Sequence, residues 1–134
     1  EVFARWVVAD ALTLEPKPVA VGGLELGAVP VACCVMSHSD GLLRTFIVRK
    51  QKKEHGAEQQ IEGRVEAGDR VIVVDDVITT GAATQKAIDA VEARGGEVVA
   101  VYCLVDRQED TLPELAARGI RSAMTLDDLI AATS

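Results

Sequence analysis

The part of the chain best suited to chemistry is a short apolar run followed by two acids and a hydroxyl-rich turn. Residues 71–74 are all Val or Ile and are followed by Asp75 and Asp76, then by residues 79–81 and Thr84. Carboxylates accept hydrogen bonds from sugar hydroxyls, whereas helix N-terminal amides and nearby hydroxyls donate to phosphate oxygens. The stretch therefore predicts a site for a phosphorylated sugar.

A second group of candidate residues is a basic window in an otherwise acidic chain. Five of the 14 Lys and Arg residues fall within ten positions: Arg44, Arg49, Lys50, Lys52 and Lys53. Because the net charge is −7, we expect no nucleic-acid partner and instead a polyanionic ligand that is held locally. Residues 50–63 show no usable periodicity, which is typical either of a lid over a site or of a solvated charged loop.

The elements around these residues alternate between strand and helix. Helices are predicted over residues 1–12, 28–36, 82–94, 113–118 and 126–132, and strands over residues 19–21, 44–49, 71–74, 98–105 and 120–124. Continuous apolar strands are typical of a sheet covered on both faces, so the pattern predicts an α/β fold with a mostly parallel central sheet. Asp75, Asp76 and Arg107 are expected at the carboxyl edge of that sheet, where such folds bind ligands. A glycine-bounded loop over residues 22–27 is a further candidate for presenting amides to an anion.

Composition limits the remaining possibilities. The chain has 134 residues, 49% of them apolar and only 3% aromatic, which is enough for one domain with a core of small aliphatic side chains. No apolar run approaches the roughly 20 residues that span a bilayer, and no secretory signal is visible, so we expect a cytoplasmic protein without a membrane partner. Cys33, Cys34 and Cys103 are interpreted as reduced and buried, and neither His38 nor His55 has the spacing of a metal site.

Four stretches of the chain match motifs of a known family. Residues 71–84 resemble the phosphoribosyl diphosphate (PRPP) motif of type I phosphoribosyltransferases, and residues 21–30 resemble their loop on the diphosphate side. The stretch Arg49-Lys50-Gln51-Lys52-Lys53-Glu54-His55-Gly56 resembles the catalytic loop of orotate phosphoribosyltransferases. Residues 104–109 are similar to the strand end that carries their orotate-binding arginine. The matches occur in the family's order, so the chain is identified as similar to orotate phosphoribosyltransferases.

The resemblance implies an enzyme that transfers the phosphoribosyl group of PRPP to orotate, giving orotidine 5′-monophosphate and diphosphate in pyrimidine biosynthesis. It implies catalytic roles for Lys53, His55, Asp75 and Asp76, and orotate binding by Thr79 and Arg107. The implied PRPP-binding residues are Arg49, Lys50, Lys53, His55, Asp75, Asp76, Val77, Ile78, Thr79, Thr80, Gly81, Ala82 and Ala83.

The resemblance also implies a cofactor and a partner. Mg²⁺ is expected, held mainly through PRPP and water, with no protein residue as a direct metal ligand. The partner is a second copy of the chain, in a homodimer whose loop 49–62 reaches the neighbouring active site.

The chain departs from the family at three points. Relatives carry a further segment ahead of the first helix, so we expect residues 1–134 to form a single core domain without this hood. Relatives usually have Ser or Thr at one of the positions held here by Ala82 and Ala83, which predicts weaker phosphate binding. Glu25 and Leu26 stand where many relatives carry a lysine. Two alternatives stay open: a phosphoribosyltransferase for another base, and a non-catalytic or regulatory nucleotide-binding relative with the same fold.

Overall fold

The computed structural model describes residues 1–50 and 60–133. Within these ranges the chain forms five helices and six strands. In chain order they are α1 (Val2–Ala11), β1 (Ala20–Leu24), α2 (Ala28–Ser37), β2 (Arg44–Val48), β3 (Ile61–Gly63), β4 (Arg70–Ile78), α3 (Ala82–Ala93), β5 (Glu97–Asp106), α4 (Pro113–Arg118), β6 (Arg121–Thr125) and α5 (Leu126–Thr133).

The strands form one sheet in the order β3-β2-β1-β4-β5-β6. Five of them run parallel, and β3 pairs antiparallel with β2 at the edge. Helices α1 and α2 cover one face, while α3 covers the other. This arrangement confirms the predicted α/β fold, and it brings the carboxyl ends of the parallel strands together at one edge. No helix in the described ranges is long and apolar enough to cross a membrane.

Strand β4 supplies both faces of the core. Val71 and Val73 pack in the cluster that contains α3, whereas Ile72 and Val74 pack in the cluster that contains α1 and α2. Successive side chains of a strand point to opposite faces. Asp75 therefore continues toward α3, and the next residue points toward the other side.

Helix α1 is fixed to the sheet by an aromatic and ionic cluster. The ring of Trp6 meets the ring of Tyr102 edge-on, with centroids 5.7 Å apart. The Tyr102 hydroxyl donates to Asp10 at 2.6 Å, and Arg121 donates to the same carboxylate. The hydrogen bond from Tyr102, together with Arg121, holds the pKa of Asp10 below its usual value. These contacts hold in place a helix that has no side-chain cap at its N-terminus.

Strand β1 corrects the prediction of a glycine loop that starts at residue 22. Gly22 and Gly23 belong to the strand, and the loop begins only at Glu25. A β-carbon on Gly22 would lie 2.2 Å from the carbonyl oxygen of Phe46, and one on Gly23 would lie 2.4 Å from that of Val74. The two glycines are therefore required by close backbone packing within the sheet.

Two further predictions change in the structure. Strand β4 runs through both acids to Ile78, which pairs with Asp106 of β5, so the acids lie inside the strand and not after it. Part of the predicted loop 50–63 is strand β3, in which Ile61 is buried and pairs with Val48. A single apolar residue in a polar stretch was too weak a signal to predict this strand.

The cysteines are all free, but only one of them is fully buried. Cys103 lies in the core, where burial raises the pKa of its thiol to about 12 and keeps it protonated. Cys34 is half-buried, and Cys33 is exposed on α2. The prediction of burial is therefore wrong for Cys33, because its position on the helix turns it away from the sheet.

Candidate active site

The two acids of β4 occupy different environments. Asp75 is 9% exposed, and its Oδ2 accepts a hydrogen bond from the Thr84 hydroxyl at 3.4 Å. Its Oδ1 accepts from the backbone amide of Asp76 at 2.8 Å, while Asp76 Oδ1 accepts from the amide of Val77 at 2.7 Å. Asp76 is exposed. The pair thus combines one buried and one accessible carboxylate at the ligand edge of the sheet.

The electrostatics of the pair are set mainly by burial. Burial disfavours the charged form of Asp75, and the neighbouring carboxylate of Asp76 adds to the effect, so that the pKa of Asp75 is raised to about 7. Ligand hydroxyls that donate hydrogen bonds to a carboxylate stabilise its charged form. Binding of a sugar therefore lowers the pKa of the carboxyl group. Strongly raised carboxyl pKa values concentrate at functional sites, which supports the assignment of this edge.

The turn after β4 forms a small pocket at the start of α3. The pocket has a volume of about 150 Å³ and is lined by Asp75, Val77, Ile78, Thr79, Thr80, Gly81, Ala82, Ala83 and Thr84. The Thr80 hydroxyl accepts from the amide of Ala82 at 3.3 Å, which shapes the turn. Backbone amides at the beginning of a helix provide an anion site of this size.

Thr84 lines the pocket, but its hydroxyl has a partner within the protein. The residue is 2% exposed, and its hydroxyl donates to Asp75. Donation from Thr84 to a phosphate stays a prediction. With Ala82 and Ala83 ahead of it, the pocket offers an anion chiefly backbone amides and the hydroxyls of Thr79 and Thr80.

Gly81 provides a stability test of this turn. Its φ is +87°, and a β-carbon there would lie 2.1 Å from Cδ2 of the buried Leu115. Gly81→Ala should lower the free energy of unfolding by about 2–4 kcal/mol, because positive φ and overpacking both cost energy. The control is Gly41→Ala, whose φ of +79° is similar but whose β-carbon would meet nothing within 4 Å. Urea denaturation that gave equal losses for both variants would contradict a packing role for position 81.

The loop between β1 and α2 lies against the acids. A β-carbon on Gly27 would lie 3.3 Å from Asp76 Oδ1 and 3.5 Å from Asp75 Oδ1. The amide of Glu25 donates to the carbonyl of Val48 at 2.8 Å, which ties the loop to the end of β2. Residues 25–27 therefore form one wall beside the acid pair, as the resemblance implied for the diphosphate side.

A second cavity, of about 420 Å³, adjoins the start of α3. It is lined by Leu24, Lys50, Ala82, Ala83 and Lys86. Lys50 belongs to the predicted PRPP-binding residues, whereas Lys86 was missed because a lysine inside a helix is usually a solvated surface residue. Arg49 forms an ion pair with Glu62 of β3. Lys53 and His55 lie outside the described residues, and so does Lys52.

Arg107 follows β5 at the same edge of the sheet. Its amide donates to the carbonyl of Ile78 at 2.9 Å, and its guanidinium pairs with Glu109 at 2.8 Å in an exposed position. The amide of Leu112 donates to the carbonyl of Thr80 at 2.9 Å, so the segment after β5 is joined to the turn after β4. The fold thus brings Arg107 beside the pocket, where an accessible guanidinium is suited to a ligand carboxylate.

Comparison with protein families assigns the chain. The model described as "Phosphoribosyl transferase domain" matches residues 3–122, which is most of the chain. The chain belongs to this phosphoribosyl transferase family. All the elements that carry candidate site residues fall inside the matched range.

The chain is also similar to individual members of the phosphoribosyl transferase family. The orotate phosphoribosyltransferase of Rhodopirellula baltica is 39% identical over 117 residues, which are 85% of this chain and 61% of that protein. The chain thus spans less than two thirds of the length of this curated relative.

Two solved structures of Mycobacterium tuberculosis H37Rv orotate phosphoribosyltransferase share the fold. The complex with Fe(III) dicitrate superposes with a TM-score of 0.78 at 41% identity, over 94% of this chain and 73% of that one. The complex with 5-phospho-alpha-D-ribosyl 1-diphosphate (PRPP) gives a TM-score of 0.74 at 38% identity, over 94% and 75%. These matches confirm the resemblance that the motifs indicated.

Proposed function

We propose that the protein containing this chain is an orotate phosphoribosyltransferase, which converts orotate and PRPP to orotidine 5′-monophosphate and diphosphate. The observation that carries the proposal is the meeting of three groups at one sheet edge: the Asp75 and Asp76 pair, the pocket after β4, and Arg107. The names of the relatives described above support it, and one of them was solved with PRPP. A role in pyrimidine synthesis in the cytoplasm is part of the same proposal.

The proposed site uses different groups for the 5-phosphate and for the ribose of PRPP. The amides and hydroxyls of residues 79–83 hold the 5-phosphate, and Asp75 and Asp76 accept hydrogen bonds from the ribose hydroxyls. During transfer the bond from ribose C1 to diphosphate breaks while a ring nitrogen of orotate bonds to C1, and the proton of that nitrogen leaves to the solvent or to the diphosphate. The ribose gains positive charge and the diphosphate gains negative charge. Fixed charges that face these two groups are the strongest available source of catalysis.

The basic residues are assigned to the leaving group. Lys50 lines the cavity beside the start of α3, and Arg49 precedes it. In the proposal these two residues, together with Lys53 and His55, neutralise the negative charge that develops on the departing diphosphate. Excluding water from the site would also prevent wasteful hydrolysis of PRPP.

Mg²⁺ is proposed as the metal of the reaction. In residues 1–50 and 60–133 no three His, Cys, Asp or Glu side chains are grouped so as to hold a metal ion. Mg²⁺ commonly binds through one or two carboxylates together with substrate phosphates and water. Mg²⁺ would arrive with PRPP and be held mainly by PRPP and water, and the Asp75 and Asp76 carboxylates fit such an ion through its bound waters. When bound, the ion supplies positive charge against the diphosphate.

Arg107 is proposed to bind the orotate carboxylate, with Thr79 as a second contact to the base. Arg107→Ala should raise KM for orotate by about 10- to 100-fold while KM for PRPP changes little, because a charge-assisted pair is worth roughly 1.5–3 kcal/mol. Arg107→Lys should recover only part of the loss, since lysine cannot form the bidentate pair. The exposed pair with Glu109 contributes little to stability, so a variant that changed only the melting temperature would contradict the assignment.

The proposed enzyme is a homodimer in which loop 49–62 completes the site of the neighbouring subunit. Lys53→Ala and Asp75→Asn variants, each inactive alone, should together recover about a quarter of the wild-type activity after subunit mixing, because half of the dimers then carry one intact site. A loop that acts within its own subunit would leave the mixture inactive. Sedimentation of the wild-type protein provides the matching measurement of the dimer.

The deciding experiment for the function is a direct assay of turnover. The purified protein is incubated with orotate, PRPP and Mg²⁺, and loss of orotate absorbance is followed together with release of diphosphate. The proposal predicts turnover that depends on all three components, and no turnover when adenine or hypoxanthine replaces orotate. Binding of PRPP without turnover of any base would instead favour a non-catalytic nucleotide-binding protein.

A further inference from the structure

Glu25 joins the loop after β1 to the segment after β2 through two hydrogen bonds. Its backbone amide donates to the carbonyl of Val48 at 2.8 Å, and its carboxylate accepts from the backbone amide of Lys50 at 2.9 Å. Val48 is the last residue of β2. The link therefore lies where the chain leaves β2 and continues into Arg49 and Lys50.

The same stretch of backbone is held from its other side by β3 and the residue before it. The amide of Arg49 donates to the carbonyl of Gln60 at 2.7 Å, and its guanidinium pairs with Glu62. Consecutive amides at residues 49 and 50 are thus bound by opposite neighbours. Without the Glu25 carboxylate, the backbone amides of residues 49 and 50 would be held only toward β3 in the described part of the chain.

The residue that the link positions is Lys50. Its side chain lines the cavity of about 420 Å³ beside Ala82, Ala83 and Lys86 at the start of α3. The loop that supplies Glu25 continues to Gly27, where a β-carbon would lie 3.3 Å from Asp76 Oδ1. One short loop therefore contacts both the acid pair and the backbone of Lys50.

We infer that Glu25 is a positioning residue: its carboxylate binds the backbone amide of Lys50, holds Lys50 at this cavity and so couples residues 49 and 50 to the acid pair. This inference rests on the proposed function, because the anion that Lys50 contacts is the diphosphate of PRPP in that proposal. A carboxylate is repelled by a diphosphate and is unsuited to bind it directly. Its hydrogen bond to the Lys50 amide gives Glu25 a different role from that of the lysine found in many relatives.

The hydrogen bond itself is tested by amide exchange, which needs no activity. In wild-type protein the Lys50 amide should exchange slowly, and in Glu25→Ala about tenfold or more faster. Glu25→Gln retains an acceptor oxygen and should exchange nearly as slowly as wild type. Glu15→Ala is the control, because Glu15 is an exposed acid that pairs with Lys17 at the opposite end of β1. Equal exchange of the Lys50 amide in wild type and Glu25→Ala would overturn the inference.

The positioning role is tested by steady-state kinetics on the same variants. Glu25→Ala should raise KM for PRPP about tenfold with kcat changed less than about threefold, and KM for orotate should not change. KM for PRPP in Glu25→Gln should stay within about threefold of the wild-type value. KM for PRPP in Glu15→Ala should equal the wild-type value. Equal defects in Glu25→Ala and Glu25→Gln would overturn the inference, because the charge and not the acceptor would then matter.

The two proposals fail in distinguishable ways. If the wild-type protein turns over no orotate, the proposed function fails, and the dissociation constant for PRPP with Mg²⁺ from calorimetry replaces KM in the comparison. A dissociation constant about tenfold higher in Glu25→Ala, together with a wild-type value in Glu25→Gln, would still support Glu25 as the positioning residue. An unchanged constant would overturn it.

Discussion

Asp75→Asn should lower kcat/KM for PRPP by about a hundredfold or more and at the same time make the protein more stable at pH 8. The loss of activity follows from the proposed role, because the charged carboxylate accepts from ribose hydroxyls and faces the positive charge that develops on the sugar. The gain in stability follows from burial. A carboxylate that is 9% exposed, beside a second acid, is disfavoured in its charged form.

The contribution of Asp75 to the free energy of unfolding depends on pH. The pKa of Asp75 is raised from 3.8 to about 7, so between these values the folded state holds a proton that the unfolded state has released. Its contribution to the free energy of unfolding therefore decreases as pH rises from about 4 to 7 and stays constant above 7. Between pH 5 and pH 8 the decrease amounts to about 2.6 kcal/mol for a shift of this size.

Urea denaturation of wild type and Asp75→Asn at pH 5 and pH 8 measures the effect, since the other groups cancel in the comparison. The variant should gain stability over wild type at pH 8 and much less at pH 5. Asp89→Asn is the control, because Asp89 is an exposed acid on α3 and should leave the pH dependence unchanged. A parallel pH dependence in wild type and Asp75→Asn would contradict a raised pKa at this residue.

Lys53→Ala should lower kcat by about a hundredfold to a thousandfold with little effect on the melting temperature. In the proposed function Lys53 faces the leaving diphosphate, and removing one charged group that stabilises a transition state costs roughly 3–4 kcal/mol. The measurement is steady-state kinetics with both substrates varied, together with thermal unfolding.

Lys52→Ala is the matched control for Lys53→Ala, because it removes the same charge one position away, where the family motif has no fixed residue type. It should retain most of the activity. Similar losses in both variants would mean that general positive charge, and not Lys53, acts on the diphosphate. An unchanged rate in Lys53→Ala would remove Lys53 from the mechanism.

Local patterns in the sequence were sufficient to predict the element types and the ligand edge. The apolar runs before Asp75 and Asp76 and before Arg107 predict buried parallel strands, and parallel strands bring their carboxyl ends to one edge. The helices also begin and end close to the predicted positions, because apolar periodicity and the stop at Gly95 are properties of neighbouring residues. The candidate acids, the turn after them and the arginine are therefore readable from short windows.

Other features depend on residues that are distant in the sequence. Gly22 and Gly23 are strand residues because Phe46 and Val74 approach them closely, and no window around residue 22 contains that fact. Ile61 forms a strand because the edge of β2 offers it a partner. Thr84 is buried and its hydroxyl donates to Asp75 because α3 packs on β4.

The electrostatic character of the site was likewise decided by tertiary packing. The sequence shows two adjacent acids as equals, whereas the fold buries Asp75 and exposes Asp76, and burial is the largest cause of the raised pKa of Asp75. The bond from the Lys50 amide to the Glu25 carboxylate joins positions 25 residues apart. Residue types and their local spacing thus identify which groups are available for phosphoribosyl transfer, and only long-range packing determines their charge, their partners and their access to the ligand.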